Sequence, residues 1–306
     1  MIIKSKKGLE AQFAWLFAII VGIFILVLTF FIVARITQTE QVALDASTAK
    51  EIGVLLNPLE TGFETAKTTS IILPSETRIY NKCNNEEYFG RQIIKLSQKS
   101  FNKWTDTNLD VGFSNKYIFS DEFEEGKKFF IFSKPFEFPF KISDLIYLSS
   151  SDKKYCFDDA PKEISEELEN LNQENIFMEE CPENSIKVCF TETGCDVDVL
   201  YEQKYAIKNS ERLDFETDSL MYAAIFSDSE VYECQVKRLM QRGEQLALLY
   251  KDKAEITAGK GCGGNLISDL TFLNGVFDEV KDSGDLRFVE GSVNDMQSKN
   301  KLCRLW

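Results

Sequence analysis

The sequence contains no histidine. That absence removes Ser-His-Asp and Cys-His nucleophile pairs, histidine-ligated zinc and haem, and the usual neutral-pH proton shuttle. It also lacks any C-x-x-C pair and any Asn-x-Ser/Thr acceptor, so a zinc ribbon, a thioredoxin-like redox motif and N-glycosylation are not expected. Cys181-x7-Cys189-x5-Cys195 matches no zinc-ligand spacing. Two acid-rich stretches, residues 121–125 and 282–295, lack the D-x-D-x-D-G order of a calcium loop. Neither a metal nor a cofactor is expected.

Basic charge is the minority sign: 35 Lys and Arg face 49 Asp and Glu, a net of −14. Residues 1–35 hold Lys4, Lys6, Lys7, Arg35 and Glu10, a net of +3, which leaves −17 on the remainder. A charge of that sign repels phosphate backbones, so nucleic acid is excluded as a partner. One long apolar run stands apart. Positions 13–34 are 22 consecutive residues without a charge. As a helix at about 1.5 Å per residue they span about 33 Å, the thickness of a bilayer's hydrocarbon core. The run exceeds the roughly 7–15 apolar residues of a cleavable secretory signal and meets Arg35 where a small-x-small site would stand. Lys4, Lys6 and Lys7 precede it and Arg35 alone follows before Glu40, so the positive flank is N-terminal. A single-pass protein is expected, with residues 1–12 cytoplasmic, residues 13–35 in the bilayer and the rest exported. All eight cysteines, Cys83, Cys156, Cys181, Cys189, Cys195, Cys234, Cys262 and Cys303, lie beyond the run. An even set on the exported side reads as up to four disulfides.

Lys6-Lys7-Gly8, directly before Leu9-Glu10-Ala11-Gln12 and the apolar run, resembles the class III signals of archaeal type IV pilin-like proteins. The resemblance implies cytoplasmic cleavage between Gly8 and Leu9 with the hydrophobic helix retained; the residues themselves favour an uncleaved plain anchor, with pilin-like processing as the alternative. Bacterial-type prepilins carry a glutamate at the fifth mature position. Here that position is Phe13, and Glu10 is second. The phrases at residues 76–83 (ETRIYNKC), 132–148 (FSKPFEFPFKISDLIYL) and 232–242 (YECQVKRLMQR) are similar to a family of archaeal membrane-anchored proteins. That similarity implies placement and carries over no catalytic residue.

Periodicity divides the exported part. Val42, Ala46, Ile52, Leu55 and Leu56 keep a helical period up to Pro58, which predicts a helical stem over 36–65. From about residue 66 the period becomes two. Phe130, Phe132, Phe136, Phe138, Phe140 and Ile142 occupy even positions with Ser133-Lys134-Pro135 between them, which predicts two strands, each with one buried face. Weaker strands are expected over 71–80, 92–97, 117–120, 145–148 and 155–157. The Phe-rich stretch fits a sheet core better than a glycan-binding platform. Residues 161–180 carry a helical stripe (Ile164, Leu168, Leu171) whose end Asn172 and Pro182 frame, and read as a surface helix or connector. Residues 185–190 and 196–206 alternate around Thr191-Glu192-Thr193-Gly194, a hairpin pattern that Cys189 and Cys195 flank. A β-rich unit thus covers 66–210. Three apolar stripes over 211–306, starting at Tyr232, Leu266 and Leu286, predict an antiparallel helical unit. With 28 residues of near-continuous helix between them, about 40 Å, Cys234 and Cys262 do not pair. The helical layout instead favours Cys262 with Cys303.

Candidate sites are few. Residues 259–264 (GKGCGG) lack the G-x-x-x-x-G-K-[ST] order and read as a helix cap and disulfide turn. Ser-x-x-Lys occurs at Ser151 to Lys154 and at Ser298 to Lys301 without the companion motifs of Ser-Lys hydrolases. No residue is assigned a catalytic, cofactor-binding or metal-binding role. The sequence therefore describes a disulfide-stabilised α+β ectodomain on one membrane helix, a structural or recognition protein held by the lipid bilayer through residues 13–34. The resemblance to pilins adds a minor subunit of a surface filament, with other pilin-like or surface proteins as partners. An anchored receptor or solute-binding ectodomain is the alternative reading, and an anchored hydrolase a distant one.

Overall fold

A computed structural model describes residues 15–36 and 67–306, apart from 87–88, 101–102, 179, 192, 260 and 262. The chain divides into two compact units, residues 1–48 and 49–306. In the first, α1 (Trp15–Ile36) is a 22-residue helix with a mean hydropathy of 3.2. It is long and apolar enough to cross a membrane. Its Thr29 hydroxyl donates to the Ile25 carbonyl at 2.7 Å, so this polar group is satisfied within the helix. Gly8, Leu9 and, of the stem expected over 36–65, all but residue 36 lie outside the described residues.

The second unit opens with a six-stranded sheet: β1 (Lys67–Asn84), β2 (Arg91–Ser100), β3 (Lys103–Phe113), β4 (Tyr117–Phe119), β5 (Phe123–Glu137) and β6 (Lys141–Ser150). The order is β3-β2-β1-β5-β6-β4, antiparallel except for β4 beside β6. Ser133-Lys134-Pro135 does not interrupt the Phe-rich stretch, as the sequence leads one to expect; β5 runs through it. β1 pairs with β5 only as far as Ser133, so Pro135 lacks its N–H where, among the described residues, no strand needs one. The break falls at residues 138–140, a turn with a cis Phe138–Pro139 peptide.

Nor does the stretch bury one face alone. Phe129, Phe130, Ile131 and Phe132 are all buried. Phe132 and Phe136 join a large core with the helices, while Phe129 and Ile131 join a second core with Ile79, Ile94, Leu96, Ile118 and Ile146. The second core exists because the sheet curls. At the outer edge of β4, the Ile118 carbonyl accepts from Asn81 Nδ2 at 3.0 Å, and its N–H donates to Gln92 Oε1 at 3.1 Å. Side chains of β1 and β2 thus stand in for a missing strand and close the sheet toward a barrel.

A second sheet contains β7 (Tyr155–Asp158), β8 (Ile176–Met178), β9 (Ile186–Cys189), β10 (Val197–Leu200), β11 (Tyr205–Lys208) and β12 (Glu211–Asp214), in the order β12-β11-β10-β9-β7-β8. Two expectations are corrected here. The connector at 161–180 holds α2 (Lys162–Asn170), a left-handed Asn172 and then β8, a parallel neighbour of β7. Asparagine tolerates that backbone and ends the helix early. The chain around residues 191–194 is not a hairpin, because β9 and β10 run parallel, with Val188 opposite Val197. Its connection is a loop tied by Cys189–Cys195, and the hairpin is β10 with β11.

Four helices follow: α3 (Asp218–Phe226), α4 (Ser229–Ala258), α5 (Ile267–Glu279) and α6 (Leu286–Cys303). α3 is buried on every side, so it carries no amphipathic stripe by which sequence reading would find it. The later helices begin and end at the expected breaks near 259–264 and 283–285 and share the large core with the sheets. Three disulfides join Cys83–Cys234, Cys156–Cys181 and Cys189–Cys195, with Cα separations of 6.1, 5.4 and 6.1 Å. Cys234 therefore bonds to β1 and not to Cys262. The favoured Cys262–Cys303 pair lies outside what is described, since Cys262 and the Cys303 side chain are not.

Candidate functional site

Where β6 passes into β7, the loop before β5, the start of β9 and the N-terminus of α4 converge on a cleft of about 530 Å³. Its floor is built from ionic pairs. Lys153, in the turn after β6, donates to Asp121 Oδ2 at 2.5 Å and to Glu124 Oε1 at 2.6 Å. The second Glu124 oxygen accepts from the Ser150 N–H at 2.9 Å, and the Glu124 side chain is fully buried. Lys208 of β11 reaches the other Asp121 oxygen at 3.2 Å and the Ile225 and Ser227 carbonyls at the end of α3, at 3.2 and 2.8 Å. Asp228 occupies the N-cap of α4 without capping it; its carboxylate accepts instead from the Glu122 N–H at 2.6 Å.

These surroundings separate the acids. Burial pushes the Glu124 carboxyl up, against the opposing pull of Lys153. Burial pushes Asp121 in the same direction, but Lys208 and Lys153 outweigh it and hold Asp121 below the ordinary carboxylate value. Asp228 is raised by burial, with the neighbouring Asp121 charge adding to the effect. For Lys153 burial favours the neutral amine, yet Glu124 and Asp121 more than offset it and raise its pKa. The floor is a fixed lattice of charge, and among the described residues no lysine is directly bonded to Asp228 on its rim.

The rim is mixed. Phe123 is 46% exposed, backed by Arg78 at 5.5 Å from the ring centroid and by Tyr80 at 6.0 Å between centroids. Asp152, Lys154 and Asn184 are exposed around it. Beneath the floor, the Tyr155 hydroxyl is fully buried and has no hydrogen-bond partner. Burial raises its pKa, and the charges it feels are those of Glu124, Asp121 and Asp228. A second cleft, also about 530 Å³, lies beside β12 and α4. There Asp214 is bonded by Arg212 and Arg287, at 2.7 and 2.6 Å, and Glu233 accepts from the Ser283 N–H and hydroxyl at 2.7 and 2.6 Å. Those groups answer one another and latch the turn before α6 onto α4.

The acid run at 121–125 was visible in sequence; its partners Lys153, Lys208 and Asp228 were not, being 32, 87 and about a hundred positions away. The local hints are the Ser-x-x-Lys string at 151–154 and an aspartate placed just before a helical stripe. Of the two Ser-x-x-Lys strings, both terminal lysines, Lys154 and Lys301, are exposed. In the other acidic stretch, Asp282 accepts from Gly284 N at 3.0 Å and Asp285 from Lys281 N at 2.9 Å, so both serve local turns. Among the described residues no group of three or more Cys, Asp or Glu is placed to hold a metal ion. No protein-family model, curated protein or solved structure matches the chain.

Proposed function

We propose that this chain is a membrane-anchored, exported protein whose body acts by structure or recognition on the outer side of the membrane. The observation that carries the reading is the joining, in one chain, of a 22-residue apolar helix to a body cross-linked by three disulfides. Disulfides persist in oxidising compartments, and a helix of that length matches a bilayer. The positive flank of Lys4, Lys6 and Lys7 supports a cytoplasmic N-terminus. The narrower form of the proposal is a minor type IV pilin-like subunit, released from its leader between Gly8 and Leu9. The receptor or solute-binding reading draws its support from the cleft at Asp121, Lys153 and Asp228.

Sidedness is the test. An amine-reactive, membrane-impermeant reagent applied to intact cells is expected to label lysines of the body, and lysis to add little. Labelling that appears only after the cells are opened would overturn the proposal. Sequencing of the mature N-terminus separates its two forms: Leu9 as first residue supports pilin-type processing, and an intact Met1 supports a plain anchor.

A further inference from the structure

The cleft above β5 and β7 has a composition that narrows the class of its ligand. Its volume of about 530 Å³ falls in the range of small-molecule sites, and its position between two sheets and a helix terminus is where such sites form. Anions are repelled: six acids line it against two lysines, and Lys153 is already bonded to Asp121 and Glu124. Metal cations find the deepest carboxylates neutralised, since Asp121 is held by Lys153 and Lys208 and Glu124 by Lys153. Lipidic ligands find too little apolar wall, because Phe123 and Ile186 are the apolar side chains in the lining.

Neutral ligands rich in hydroxyl groups match the polar groups and the aromatic ring of the lining, and we propose that this cleft binds a saccharide of one or two residues. Each element of that chemistry is present. Asp228 and Asp152 offer carboxylate oxygens to sugar hydroxyls, and charge-assisted hydrogen bonds of this kind are roughly twice as strong as neutral ones. Asn184 adds an amide with both donors and an acceptor. Phe123 presents a ring whose backing by Arg78 and Tyr80 leaves nearly half of it open, a flat apolar surface for the C–H face of a pyranose. The Glu122 N–H holds the Asp228 carboxylate at 2.6 Å, so this acceptor carries little ordering cost on binding. This inference rests on the recognition reading and names the class of molecule recognised.

The test uses the full-length chain in lipid nanodiscs, free of sugar-based detergent. Cellobiose, maltose, mannobiose and chitobiose are titrated while saturation transfer from protein to sugar is followed by NMR. At least one is expected to bind with a Kd in the millimolar range or tighter, with its ring C–H protons receiving the strongest transfer. Phe123→Leu and Asp228→Asn are each expected to weaken that binding about tenfold, equivalent to about 1.4 kcal/mol. Phe123 is half exposed and Asp228 forms no cap bond, so both variants keep the fold, as circular dichroism checks. Glucuronic acid is expected to bind more weakly than glucose. Saturation by none of the four disaccharides, binding indifferent to both substitutions, or tighter binding of glucuronic acid would each overturn the proposal. Because binding is measured on isolated protein, its failure leaves the sidedness experiment untouched, and the reverse holds.

Discussion

Arg238 is a fully buried guanidinium that, among the described residues, has no carboxylate paired to it. Its donors are taken by oxygen dipoles: Nη1 reaches the Lys116 carbonyl at 3.0 Å and Gln235 Oε1 at 2.7 Å, Nη2 the Ser114 carbonyl at 3.1 Å, and Nε the Phe89 carbonyl at 3.2 Å. The Tyr117 ring lies 4.8 Å from the guanidinium carbon. Burial lowers its pKa, but five donors in a planar fork suit converging carbonyls in a way that a lysine does not. Gly90 belongs to the same arrangement. It has φ +56°, and an added Cβ would strike the Asn84 carbonyl and the Arg238 side chain. Glu124 is the opposite case, a buried acid with a lysine to answer it, and its pH behaviour is the residue-scale prediction. Its folded pKa is raised above 4.5. Just above pH 4.5 the folded state therefore holds a proton that the unfolded state has lost. Stability falls as pH rises through that window and stays lower beyond it. Asp121, held below 3.8, contributes stability above that value and loses it as pH falls through its folded pKa. Glu124→Gln removes the first effect and leaves the second. Urea midpoints measured at about pH 5 and pH 7 are expected to drop less in the variant than in the parent chain; equal drops would contradict the assignment.

At the scale of elements, α4 is the piece that joins the curled sheet to the rest of the body. Cys83–Cys234 links it to β1, Gln235 bonds the Ile118 carbonyl at 3.2 Å, and Arg238 gathers the carbonyls before β4. The bridge closes a separation of 151 residues, against 6 for Cys189–Cys195. In the chain-entropy description, removing the longer cross-link costs about 5 kcal/mol and the shorter about 2 kcal/mol. Replacing Cys83 and Cys234 by serine is therefore expected to lower the urea midpoint more than the same change at Cys189 and Cys195. The reverse ranking would mean that the long loop is already compact in the unfolded ensemble. The sequence revealed strands and helices where one face is wet. Residues 71–80 and 92–97 fall inside β1 and β2, and the stripes from Tyr232, Leu266 and Leu286 fall on α4, α5 and α6. It misled where both faces are buried or where a strand carries a proline: FFIF at 129–132 lies between two cores, α3 has no polar side, and Pro135 sits in a strand whose described pairing with β1 ends at Ser133. The cleft was legible only as an acid run, since lysines recruited across tens of residues leave no local period.

For the whole molecule, the governing asymmetry is between a positively flanked apolar helix and an acidic body of −17 that contains every cysteine. The two halves make separate demands on location, and the same orientation satisfies both. A cytoplasmic N-terminus keeps Lys4, Lys6 and Lys7 beside the anionic inner leaflet and puts the body where thiols oxidise. The coupling can be broken deliberately. Exchanging all three lysines for glutamate reverses the charge difference across α1 without touching the body, and the positive-inside bias then favours Arg35 on the cytoplasmic side. The expected result is a population of chains retained with the body inside. In those chains Cys83, Cys234 and the other bonded cysteines stay reduced and react with a maleimide-linked polymer before any reductant is added, while the parent chain reacts only after reduction. The retained population is also expected to escape an impermeant label. If the triple variant matches the parent in both thiol protection and surface labelling, the lysine flank does not set the orientation. The disulfides would then be left as the sole sign of which side the body occupies.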